Sequence, residues 1–140
     1  MRLQLALNVK DLEQAIDYYR RLFGVEVAKR KPGYANFEVA EPPLKLVLFE
    51  DANGVDCLNH LGVEVFDDEQ VLAAGERMRA NGLEVEQQTE EGCCFAKQNK
   101  AISYAPDGTM WEWYRKLEDL DNFAANEPAE TTTACCAATQ

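Results

Sequence analysis

Two short stretches far apart in the chain, "QLALNVKD" and "HLGVEVFD", carry one pattern and lead into the same sequel. Superposed without a gap, Gln4 falls on His60, Leu5 on Leu61, Leu7 on Val63, Val9 on Val65 and Asp11 on Asp67. Each alternates apolar and polar residues, the period of a half-buried strand. Each then changes to a helical period that stops at a glycine. Such self-similarity limits the chain to folds built from one supersecondary unit used twice.

In the first copy Asp11 is a capping residue for a helix with Leu12, Ala15, Ile16, Tyr19 and Leu22 or Phe23 on one face, and Gly24 ends it. Strands are expected at Val25–Ala28, Tyr34–Val39 and, after the turn "EPP", Leu44–Phe49. In the second copy a helix is expected over Glu69–Asn81 with Gly82 as its stop. Strands are then expected at Leu83–Gln87, from Phe95 to Lys97 or beyond, and at Thr109–Tyr114. Pro106-Asp107-Gly108 marks the turn before the last of these. The expected fold is α+β: two tandem βαβββ modules forming a curved mixed sheet around a metal-binding cavity. The modules span about 1–50 and 58–117 of a single domain at 1–117, and the weakly apolar 118–140, ending "NEPAETTTACCAATQ", is expected to be a flexible tail.

With 140 residues the chain is one domain's worth. Its formal charge of -11 repels nucleic acid and anionic membranes, so neither is an expected partner. No apolar run is long enough to cross a bilayer, and "MRLQLALNV" lacks the form of a secretory signal, so a cytoplasmic location is expected. The five cysteines are Cys57 and the adjacent pairs Cys93-Cys94 and Cys135-Cys136, which is no secreted disulfide framework. In a reducing compartment they are thiols open to soft metals or metalloids.

Strand alternation singles out three polar side chains. In the first strand Leu3, Leu5, Leu7 and Val9 form the apolar face, leaving Gln4 on the other. In the second copy Leu61, Val63 and Val65 are apolar, with His60 opposite. In the last strand Trp111 and Trp113 share one face and Glu112 takes the other. A lone histidine is ordinarily a surface or satisfied residue, but His60 stands in register with Gln4. Glu112, between two tryptophans, needs a partner if it is buried. One imidazole nitrogen and two side-chain oxygens resemble the facial triad of non-haem iron sites with a glutamine in place of one histidine, ranking Fe(II) above Mn(II), Ni(II) and Zn(II). Superposing "EPPLKLVLF" on "DGTMWEWYR" sets Leu46 against Glu112, so the first module supplies no matching carboxylate.

The doubled unit with "QLALNVKDLEQAIDYYRRLFG", "HLGVEV" and "DGTMWEWY" resembles the vicinal oxygen chelate superfamily of glyoxalase I, bleomycin-resistance proteins and extradiol dioxygenases. "KPGYANFEVAEPPLKLVL", "DCLNHLGVEV" and "CC" resemble its carbon–arsenic lyases, a group that also holds cadmium-induced proteins. The resemblance covers about residues 1–117. It implies a dioxygenase using Fe(II) and dioxygen to break the carbon–arsenic bond of trivalent organoarsenicals such as methylarsenite, releasing arsenite. By position, Gln4, His60 and Glu112 would ligate iron, and Cys93 and Cys94 would hold the arsenic.

Trivalent arsenic is soft and thiophilic, and two neighbouring thiolates can chelate it. The flanks "TEEG" and "AKQNK" read as a polar, mobile loop. Adjacent residues of a regular strand point to opposite faces, so both thiols are not expected in one core. Two other functions compete: sequestration of Cd(II) or As(III) by the thiols without chemistry, and a glyoxalase-like isomerase or glutathione transferase, against which Leu46 argues. The expected assembly is a monomer or homodimer, with a site inside one chain the simpler arrangement.

Overall fold

The structure, a computed structural model, describes residues 1–124. Its fold is α+β, with parallel and antiparallel strand pairs and two helices. The chain divides into two compact units, Met1–Gly62 and Val63 onward.

The first unit runs β1 (Arg2–Val9), α1 (Leu12–Phe23), β2 (Lys29–Lys31), β3 (Tyr34–Val39), β4 (Leu44–Glu50) and most of β5 (Cys57–Glu64). Its strands are ordered β2-β3-β4-β1-β5. β1 lies parallel to β4, and β3 is antiparallel to both β2 and β4. Asp11 caps α1, its carboxylate accepting from the Gln14 N–H at 2.9 Å. Gly24, at φ 66°, closes the helix in the left-handed region that a side chain disfavours. The apolar face of α1 puts Leu12 and Ile16 against Val9, Phe37, Leu46 and Leu48, with Leu5 and Leu7 beside them. This core defines which face of β1 lies under the helix. Leu3, at the strand's start, remains exposed.

The segment expected as a strand at Val25–Ala28 is irregular. Val25 and Val27 turn onto the core, and ladder pairing with β3 begins at Lys29. Burying two valines there outweighs continuing a strand.

The second unit holds the end of β5, α2 (Asp68–Ala80), β6 (Glu86–Tyr104) and β7 (Met110–Ala124), ordered β5-β7-β6. Asp67 caps α2 by accepting from the Glu69 N–H at 2.8 Å. Gly75 lets the helix come close to β6: a Cβ there would lie 3.0 Å from Gln87 Oε1 and 3.5 Å from Ala101 Cβ. Val63, Val65, Val71 and Ala101 form the core, with Trp113 packed on it.

β6 is not one straight strand: Glu90 at φ 53° and Cys94 at φ 59° leave the extended region. Gln87 donates to the Lys100 carbonyl at 2.8 Å, although a straight strand would hold these residues roughly 40 Å apart. Ser103 likewise donates to the Glu84 carbonyl at 2.9 Å, and the Glu90 N–H to Asn99 Oδ1 at 2.8 Å. The segment therefore folds back on itself into two arms: the strand expected at Leu83–Gln87 begins only at Glu86, and the one expected from Phe95 forms the second arm. Counted this way the second unit is again βαβββ.

β7 runs past the boundary expected at residue 117. Glu118 and Asp119 pair with Lys97 and Ala96, and Ala124 with Cys94. The start of the expected tail is thus strand, and the ladder gives it backbone partners that an apolar period does not reveal. The remainder of that tail, with Cys135 and Cys136, lies outside the described residues.

Candidate metal ligands and a paired thiol site

In the first unit, Leu5, Leu7 and Val9 face α1, so Gln4 projects from the opposite side of β1. It is 5 % exposed and His60 is 3 % exposed. The two meet, Gln4 Nε2 lying 3.0 Å from His60 Nε2. The sequence repeat therefore marked a real pairing: equivalent positions of the two starting strands bring their side chains together.

The histidine's other nitrogen fixes its tautomer. His60 Nδ1 lies 2.7 Å from Asn59 Oδ1, an oxygen that can only accept. Nδ1 therefore carries the proton, and Nε2 presents its lone pair to the Gln4 amide. Asn59 is held in turn, donating through Nδ2 to Asn8 Oδ1 at 2.8 Å, while Asn8 Nδ2 points at the exposed Cys57 Sγ at 3.6 Å. Sequence reasoning missed Asn59: in the alternation it is only the polar neighbour of the histidine.

β4 corrects one detail. Leu46 pairs with Leu5 and belongs to the core under α1, whereas Lys45 pairs with Gln4 and shares its face. The first-module residue matching the outlook of Glu112 is thus Lys45, not Leu46. Ungapped superposition of the two last strands is out of phase by one residue, which exchanges the faces. The absence of a carboxylate at that place stands, now with a buried lysine occupying it.

In the second unit, Trp113 packs toward α2, with the Arg77 guanidinium 5.2 Å from its ring centre. Glu112, one residue earlier, takes the other face and is 2 % exposed. Ile102 pairs with Glu112 and Lys100 with Tyr114, so Lys100 and Glu112 share a face. Lys100 Nζ donates to Glu112 Oε2 at 2.9 Å, and Lys100 is 1 % exposed. This is the partner that a buried carboxylate requires. Sequence reasoning missed Lys100 because it falls in a stretch rich in lysine and polar residues, with nothing to separate it from exposed Lys-type positions.

Cys93 and Cys94 lie near the fold-back of β6, in extended backbone rather than a loop. Both are buried and both are free thiols. Their sulfurs are 3.5 Å apart. Regular strand geometry would send them to opposite faces, and the backbone shows why it does not: Cys94 has φ 59°, with a register shift against β7 between Cys94 and Ala96. A β-bulge with a left-handed residue re-aims one side chain. The two sulfurs are then placed to bind one atom together.

Among the described residues no group of three or more His, Cys, Asp or Glu side chains is placed to hold a metal. The candidate set contains only two such residues, with glutamine as the third donor. No helix among the described residues is long and apolar enough to cross a membrane.

The model of the Glyoxalase/Bleomycin resistance protein/Dioxygenase superfamily matches residues 3–113. The chain belongs to this superfamily. Within the superfamily it is similar to the cadmium-induced protein CadI of Mycobacterium tuberculosis strain H37Rv, 48 % identical over 139 residues, covering 96 % of this chain and 91 % of that protein. It is equally similar to a trivalent organoarsenical cleaving enzyme of Thermomonospora curvata, 47 % identical over 137 residues, covering 96 % of this chain and 87 % of the relative. An extradiol ring-cleaving dioxygenase from B. fuscum shares the superfamily fold with a TM-score of 0.63 at 18 % identity, over 86 % of this chain and 34 % of the larger one.

Proposed function

We propose that the protein is a non-haem Fe(II)-dependent dioxygenase that cleaves the carbon–arsenic bond of trivalent organoarsenicals and releases arsenite. The observation that carries this reading is the pair of thiol sulfurs, not joined as a disulfide, 3.5 Å apart. Few ligands need two thiols on neighbouring residues; a pyramidal, thiophilic As(III) centre does, because it can exchange two oxygens for two sulfurs and keep its organic group. The relative named as a trivalent organoarsenical cleaving enzyme supports the same substrate class.

The donor set fits a divalent ion. His60 has its Nδ1 proton committed to Asn59, which leaves Nε2 for a metal. Rotation of the Gln4 amide exchanges its nitrogen for its oxygen at the same place. Glu112 is a buried carboxylate already engaged with a cation. In this reading Gln4, His60 and Glu112 are the ligands of the ion. Fe(II) bound by them would supply dioxygen activation for oxidation across the carbon–arsenic bond. Cys93 and Cys94 hold the arsenic, exclude it from bulk solvent and restrict its approach, turning a collision into a positioned encounter. Free thiols suit a reducing cytoplasm.

Asn59 orients the histidine. Asn59→Ala is expected to weaken Co(II) or Fe(II) binding by about 10–100-fold, the usual worth of an outer partner to a metal-binding histidine. Calorimetric titration of the metal-free protein measures this directly.

The similarity to a cadmium-induced protein favours a second reading, sequestration of Cd(II) or As(III) by the thiols. One experiment separates them. Protein loaded with Fe(II) without oxygen is mixed with methylarsenite, and oxygen is then admitted. Catalysis yields arsenite in many-fold excess over protein. Sequestration yields bound methylarsenite at a fixed ratio and no new arsenic species, and that outcome would reject the enzyme.

A further inference from the structure

We propose that Lys100 is a tethered substitute for the metal ion: its ammonium occupies the Glu112 carboxylate in the metal-free protein, and an entering ion must displace it. The inference rests on the metal-ligand reading above and adds to it a residue that sets how tightly the ion is held.

The pair is built, not incidental. Lysine is among the residues least often fully buried, yet Lys100 is 1 % exposed and Glu112 2 %. The bond between them is 2.9 Å long and charge-assisted. Register fixes both side chains on one face: Lys100 pairs with Tyr114, and Ile102 with Glu112. The backbone of Lys100 is anchored separately, its carbonyl accepting from Gln87 Nε2 at 2.8 Å. The ammonium is thus held at the carboxylate by the fold itself.

This ammonium gives the buried carboxylate a charged partner in the metal-free protein, as buried charges require. With it, the carboxylate is charged and pre-positioned before any metal arrives. The same charge opposes the metal. A divalent ion and an ammonium on one carboxylate repel each other across a few ångströms of low-dielectric interior. That repulsion works against what an orienting hydrogen bond to a ligand contributes, about 10–100-fold in affinity. Lys100 therefore acts as a competitor rather than as a support. It stabilises the metal-free state and weakens the bound ion.

The test uses Co(II) as probe and two readouts that do not depend on turnover. Lys100→Met and Lys100→Gln are expected to melt at lower temperature than the unaltered protein when metal-free. They are expected to bind Co(II) at least about tenfold more tightly by calorimetric titration, as the competing charge is gone. Lys100→Gln keeps a donor for Oε2 and carries the test should Lys100→Met fail to fold. Lys100→Arg restores the charge and is expected to return both values toward the starting ones. A residue that merely packed or oriented Glu112 would give weaker binding in the neutral variants, and equal or weaker Co(II) binding by Lys100→Gln overturns the proposal. His60→Ala in the unaltered and Lys100→Gln backgrounds distinguishes the two levels of inference. If His60→Ala leaves Co(II) binding intact, the ligand assignment itself is wrong. If it abolishes binding while Lys100→Gln changes nothing, only the competitor role falls.

Discussion

His60→Ala is expected to remove metal binding and, with it, arsenite production, while the protein still takes up the arsenical at its thiols. The expected loss of Co(II) or Fe(II) affinity exceeds 100-fold, since removing an outer partner of such a histidine already costs about 10–100-fold. His60 is the only histidine in the chain, so no second imidazole can stand in. The thiols belong to the other compact unit and owe their geometry to the bulge at Cys94, so their binding should be untouched. The substitution also has a structural cost. It strips a partner from the Gln4 amide at 3.0 Å and from Asn59 Oδ1 at 2.7 Å. Each lost hydrogen bond costs about 0.5–1.5 kcal/mol. A melting curve must therefore accompany the metal titration, and His60→Gln serves as the polar control. If His60→Ala releases arsenite at the unaltered rate, the Gln4–His60–Glu112 assignment is wrong.

What the sequence revealed depended on whether the deciding interaction was local. Asp11 caps its helix and Gly24 ends it because caps are set by the next few residues. The Gln4–His60 pairing was legible for a different reason: two copies of one unit place equivalent residues equivalently, and the copies align without a gap. The same logic failed for Leu46. Register along β4 is set by its pairing with β1, and a single-residue slip exchanges the faces, so Lys45 rather than Leu46 stands beside Gln4. Lys100 was hidden because burial of a lysine is decided by the carboxylate across the ladder, not by its neighbours in sequence. The left-handed backbone of Cys94 was hidden most thoroughly. Glycine or asparagine announces such a conformation, and cysteine does not.

That backbone leads to the other large effect. Cys93→Ser and Cys94→Ser are each expected to reduce affinity for a trivalent arsenical such as phenylarsine oxide by roughly 10²–10⁴-fold, the gain that a second tethered contact ordinarily confers. The double substitution should abolish binding. The sulfurs' separation decides this. At 3.5 Å they need not move apart or together to meet one atom, so the second bond forms at little entropic cost. Cys94 is held at φ 59°, a conformation that costs a non-glycine residue roughly 1–2 kcal/mol. Glycine at this position would relieve the strain but carry no sulfur. Strain retained at a side chain proposed to bind favours a site over a core. Serine keeps the side-chain shape and the backbone, so each variant should melt near the unaltered protein. Titrating free thiols against added arsenical counts the sulfurs engaged, two per arsenic in the unaltered protein and one in each single variant. Co(II) binding should persist in all three. Unchanged arsenical affinity after either single substitution would show that the sulfurs act one at a time, and that their closeness is a consequence of packing.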